Sequence, residues 1–122
     1  MARAAQPKEI LFYMDNNGKI PVKEWLYGLK DTQARRRIFR RLRHVEQGNY
    51  GDCKGLSGQG GLLELRFDFG PGYRMYLAED GNTLVVLLVG GDKKTQKKDI
   101  TRATEYWIDY KENQLYETLP EA

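Results

Sequence analysis

Apolar and polar residues alternate from Leu63 to Phe69. Leu63, Leu65, Phe67 and Phe69 share one face and Glu64, Arg66 and Asp68 the other, which predicts a half-buried strand. Beyond the turn Gly70-Pro71-Gly72, a second strand has Tyr73, Met75 and Leu77 on its apolar face, with Arg74 and Tyr76 opposite. Glu79-Asp80-Gly81-Asn82 signals a hairpin, and the run Leu84 to Val89 is apolar on both faces, which places the third strand centrally in a sheet. A further strand is predicted at Glu9 to Met14, where an apolar-aromatic run ends in the turn signal Asp15-Asn16-Asn17-Gly18.

Helical periods fill the intervals. After Pro21, which suits a first helical turn, Val22, Trp25, Leu26 and Leu29 recur at i, i+3, i+4 and i+7. Asp31 or Thr32 can cap a second helix with the stripe Ala34, Ile38, Leu42 and Val45. The glycine-rich stretch from Gly48 to Gly61 predicts a loop carrying Cys53 and Lys54. Ile100, Ala103, Thr104, Trp107 and Ile108 predict a last helix, capped by Asp92 or Thr95. The order β-α-α-β-β-β-α makes an α+β domain, a mainly antiparallel sheet with helices packed on one face and the other face partly open. With 122 residues, one domain is expected over 1–122, its core at about 9–113 and its ends frayed.

The chain's net charge of +3 conceals clustering. Arg35, Arg36, Arg37, Arg40, Arg41 and Arg43 form one group and Lys93, Lys94, Lys97 and Lys98 another, which suits a polyanion or an acidic protein partner. The lone Cys53 excludes an intrachain disulfide and a cysteine zinc cluster, and fits a reducing cytosol. The start lacks a signal-peptide pattern and Leu84 to Val89 is too short to cross a bilayer, so a cytoplasmic protein without membrane contact is expected.

Register follows from keeping apolar residues on one side. Pairing Phe67 with Tyr73, Leu65 with Met75 and Leu63 with Leu77 sets Arg66 opposite Arg74. Like charges so placed disfavour the sheet by about 0.2–1 kcal/mol. Either a carboxylate such as Glu64 or Asp68 neutralises them as a surface charge ladder, or they bind an anion, joined by Lys93 or Lys94 beyond the next strand. The sole histidine, His44, lies among helix arginines, which excludes a two-histidine ribonuclease mechanism. Neither metal-ligand spacing nor a P-loop is present, so no metal or cofactor is expected. The remaining chemistry is metal-free phosphodiester cleavage by a ribose 2′-hydroxyl. Arg66, Arg74, Lys93 and Lys94 are the catalytic candidates. Lys54, Tyr76, Gln96 and Asp99 are candidates for substrate binding.

The segments LELR at Leu63 to Arg66, GYR at Gly72 to Arg74 and GGDKKTQKKDI at Gly90 to Ile100, in that order after two helices, resemble the RelE/ParE superfamily of type II toxins, in its HigB-like addiction module killer branch. The resemblance covers roughly residues 9–113. It implies the RelE-like fold and either of two activities: cleavage of messenger RNA on the ribosome, as an mRNA interferase that inhibits translation, or the non-enzymatic inhibition of DNA gyrase seen in ParE types. A nucleic-acid-binding module without cleavage is the third possibility. By resemblance, Arg74 matches a phosphate-binding arginine, Arg66 a basic position on the preceding strand, and Lys93 or Lys94 the segment of a catalytic arginine. A catalytic tyrosine or histidine near the last strand has no counterpart, Glu64 replaces a lysine of some relatives, and Tyr106 or Tyr110 could contribute from the last helix. The resemblance also implies a cognate antitoxin, a small helix-turn-helix protein, with Trp25, Arg36 and Arg40 as candidate contacts.

Overall fold

The computed structural model describes residues 6–120. The expected fraying at 1–5 and 121–122 lies outside the described residues. Strand β1 (Glu9–Tyr13) leads to helices α1 (Pro21–Gly28) and α2 (Thr32–Glu46). Strands β2 (Cys53–Gly55), β3 (Leu63–Arg66), β4 (Tyr73–Asp80) and β5 (Leu84–Asp92) follow. A single 3-10 turn (Lys93–Thr95) then enters helix α3 (Gln96–Asn113), and β6 (Tyr116–Thr118) closes the chain. The six strands form one open sheet in the order β2-β3-β4-β5-β1-β6, antiparallel except for β1 beside β5. This is an α+β architecture of RelE-like type, with β5 in the interior of the sheet as its two-sided apolarity demands.

The helix boundaries follow local chemistry. Asp31 caps α2 by accepting from the backbone of Gln33 and Ala34, and Ala34, Ile38, Leu42 and Val45 are all buried. Pro21 opens α1, where its missing N–H costs nothing.

Three sequence expectations are corrected. Cys53 and Lys54 are not in a loop: they form an edge strand, Cys53 pairing with Leu65 and Lys54 with Glu64. Glycines at 48 and 51, both at positive φ, turn the chain before the strand instead of preventing it. A short sixth strand, β6, follows α3 after Gln114 adopts a left-handed cap.

The helices also do not share one face. α1 and α2 cover Ile10, Phe12, Leu65, Met75, Leu77, Val85 and Leu87, whereas α3 covers Leu11, Tyr13, Tyr76, Ala78, Val86 and Leu88. Adjacent glycines on β5 show the division: a Cβ on Gly90 would overlap the Trp25 ring of α1, and one on Gly91 would overlap the Asp99 carboxylate of α3. A sheet whose central strand is apolar on both sides needs cover on both. On the second face α3 buries Tyr76 and Glu64, whereas Arg66 and Lys54 stay partly or fully exposed.

A bulge between Tyr76 and Leu77 completes this arrangement. Leu77 pairs with Leu87 but Tyr76 with Val89, so the extra residue Leu88 shifts the register and sets Gly91 beside Arg74.

Candidate functional site

The site begins with a strand pairing. Leu63 stands opposite Leu77, Glu64 opposite Tyr76, Leu65 opposite Met75 and Arg66 opposite Arg74, the register expected from the apolar pattern. The Phe67 amide donates to the Tyr73 carbonyl at 3.1 Å and carries the pairing to the turn.

The two arginines are treated differently. Arg66 Nε and Nη2 donate to Asp52 Oδ1 at 3.3 and 3.2 Å, so its partner is the residue just before β2 and neither Glu64 nor Asp68. Arg74 is 9% exposed, and its Nη1 donates to the carbonyls of Gly72 and Tyr73 at 3.1 and 3.0 Å. Its Nε is buried without a partner, and no ion pair to Arg74 exists among the described residues. Backbone carbonyls solvate part of this cation, but no carboxylate neutralises it within bonding distance.

Arg74 lines an open groove of about 470 Å³ with Arg66 and Lys93, bounded by Asp52, Asp68 and the Gly70-Pro71-Gly72 turn. Gly72 has φ +77, and a Cβ there would press on the Lys93 stem at 3.0 Å, so glycine lets the lysine lie against the turn. A capping box holds the backbone of the turn that carries Lys93. The Asp92 carboxylate accepts from the amides of Lys94 and Thr95 at 2.8 and 3.3 Å, and the Asp92 amide donates to the Thr95 hydroxyl at 3.2 Å. Three cations thus converge on one concavity, a geometry that matches the oxygens of a phosphate.

The family described as "Phage derived protein Gp49-like (DUF891)" matches residues 24–107, which includes every residue of this groove. The chain belongs to the Gp49-like family. This is a family of RelE-like, toxin-like addiction module proteins associated with the toxin component of toxin-antitoxin systems, and that association implies an antitoxin partner. A relative from Haemophilus influenzae, described as "Uncharacterized protein", is 47% identical over 79 residues, covering 65% of this chain and 78% of the relative. Among the described residues no helix is long and apolar enough to cross a membrane.

Within this Gp49-like chain the other candidates divide by position. Tyr76 is fully buried and its hydroxyl makes no hydrogen bond; burial and the Glu64 carboxylate opposite push the phenol up. Asp99 packs over Gly91 and accepts from the Thr95 hydroxyl, yet burial raises its carboxyl above the ordinary value. Gln96 Nε2 donates to Glu64 Oε2 at 2.7 Å. These residues form a layer beneath the start of α3 and do not line the groove, because α3 covers the face that the sequence pattern had left open. Lys54 is exposed on β2 and Lys94 on the 3-10 turn, both outside the groove lining. Tyr106 stacks on Tyr13 with ring centroids 4.8 Å apart, and Tyr110 donates to Asp80 at 2.8 Å, so neither reaches the arginines.

One contributor was missed by sequence reasoning, and one was named but misplaced. Asp52, the counter-ion of Arg66, lies fourteen positions away across a loop with no local pattern. Glu64, assigned to the polar face, is 2% exposed; its strand position opposite a tyrosine was the only available signal.

The arginines of α2 are not one solvated face. Arg41 donates to the carbonyls of Tyr50, Arg66 and Asp52 at 2.8, 2.9 and 2.8 Å, which ties the loop before β2 and the end of β3 to the helix. Burial lowers its guanidinium, with Asp52 opposing. Trp25 is half-buried against Gly90 and meets Tyr73 edge-on at 5.8 Å, while Arg36, Arg40 and His44 are exposed.

Proposed function

We propose that this protein is the toxin of a type II toxin-antitoxin pair and acts as a ribosome-dependent messenger RNA endoribonuclease that inhibits translation. The observation that carries this reading is Arg74, a buried cation without a carboxylate partner, opening on a groove that Arg66 and Lys93 also line.

In this reading Arg74 and Arg66 hold the non-bridging oxygens of the scissile phosphate. The ribose 2′-oxygen attacks the adjacent phosphorus, the bond from phosphorus to the 5′-oxygen breaks, and a 2′,3′-cyclic phosphate forms. The 2′-hydroxyl proton is lost to solvent, and the 5′-oxygen leaves beside the Lys93 ammonium and takes up a proton to become a hydroxyl end. Catalysis is then chiefly electrostatic: the cations of Arg74, Arg66 and Lys93 stabilise the charge that builds on the phosphorane, each donor being worth roughly 10²–10³ in rate. The groove supplies no histidine, which makes proton transfer its slow component. The antitoxin is a small protein that meets Trp25, Arg36 and Arg40 on the α1 and α2 side, and the whole described chain acts as one toxin domain.

Induction of wild type and Arg74→Ala in cells, with transcript ends and DNA breaks mapped together, tests this. RNA ends inside codons that vanish in the variant support it. Intact transcripts with gyrase-dependent DNA breaks would instead select the gyrase-inhibitor activity.

A further inference from the structure

A second groove, about 240 Å³, opens between α2 and the β3-β4 turn, lined by Arg37, Arg40 and His44 with Phe67 and Asp68. Phe67 and Asp68 also line the groove of Arg66, Arg74 and Lys93, so the two concavities are contiguous around one ridge. Arg37 and Arg40 are exposed and form no ion pair among the described residues, whereas Arg43 on the same helix is paired with Glu46 at 3.0 Å. The Arg37 guanidinium lies 3.8 Å from the centre of the Phe69 ring, which holds its planar fork over the turn. Asp68, exposed on the shared ridge, repels an anion there, so backbone phosphates are favoured on either side of it and not upon it.

We infer that one single RNA strand occupies both grooves: the phosphate held by Arg74 and Arg66 sits in the first, and neighbouring phosphates of the same strand lie against Arg37 and Arg40 in the second. This rests on the phosphate-clamp reading of the first groove and extends it. The continuity of the grooves favours a nucleic-acid backbone over an acidic protein, because a linear polyanion follows a cationic track that begins at an unneutralised arginine.

The test uses fluorescent 2′-O-methyl RNA, which cannot be cleaved, as a dinucleotide and as an octanucleotide, with binding measured against salt. Arg40→Gln and the double variant Arg37→Gln/Arg40→Gln are compared with wild type after their thermal unfolding is matched. The inference expects the double variant to lose roughly tenfold affinity for the octanucleotide and none for the dinucleotide. Its salt slope should fall by about 1.4, two contacts at about 0.7 each on single strands. Equal loss at both lengths, or no loss at either, would overturn it, as would unaltered RNA binding alongside lost binding of a polyglutamate peptide. Arg74→Met serves as the separate control: if it binds the dinucleotide as wild type does, the clamp reading itself fails, whatever the α2 variants show.

Discussion

Arg66 and Arg74 stand directly opposite each other on β3 and β4, and only Arg66 meets a carboxylate. An alternating-charge surface would have supplied a partner to both. Instead Asp52 serves the more exposed arginine, and the more buried one lines the groove with a buried, unbonded Nε. Keeping a cation so placed is unfavourable for folding and useful for an anionic ligand.

Two buried or half-buried arginines should therefore respond oppositely to substitution. Arg74→Met breaks no ion pair, so stability should change by less than about 1.5 kcal/mol while cleavage falls at least roughly a hundredfold. Arg41→Met strands three carbonyls and should destabilise by about 2–4 kcal/mol. Urea unfolding beside a cleavage assay separates the two.

Gly90 and Gly91 are small because α1 and α3 pack onto them from opposite faces. Gly90→Ala should destabilise by about 1–3 kcal/mol, since its Cβ overlaps the Trp25 ring, and Trp25→Leu in the same chain should recover part of that loss. Thermal unfolding of the two single variants and the double variant checks the coupling.

Asp99 carries a pH dependence of definite sign. Burial raises its folded pKa above the unfolded one, so its contribution is fully present below the ordinary carboxyl value and is lost as pH rises through the folded value. Asp99→Asn keeps the neutral form and should gain stability relative to wild type as pH rises from about 4 toward neutrality. Urea midpoints of both proteins across that range give the sign.

Cys53 sits half-buried on β2, and burial raises its thiol despite the opposing Arg41. Iodoacetamide should alkylate it more slowly in the native protein than in urea at mildly alkaline pH. Equal rates would contradict the half-buried position of Cys53 on the edge strand.

The antiparallel register was legible because Leu63, Leu65, Met75 and Leu77 admit one pairing that buries them all. The α2 stripe was legible for the same reason. The position of α3 was not: Ile108 fits a helical stripe but is 50% exposed, while Asp99 and Tyr110 point inward. Tyr110 is buried because a tertiary partner, Asp80, accepts from its hydroxyl, and spacing does not reveal that partner. Tyr76 was misplaced with it, since the face open beside Arg74 is covered one residue pair further along the strand.

The phosphate clamp is tested most directly by nuclear magnetic resonance of the arginine side chains during titration with uridylyl-uridine. Arg74 Nε–H has no acceptor in the free protein, and Arg41 Nε–H already donates to Tyr50. The Arg74 and Arg66 Nε–H resonances should shift as the dinucleotide binds, with that of Arg41 unchanged. A saturating titration that leaves Arg74 unmoved would contradict the clamp.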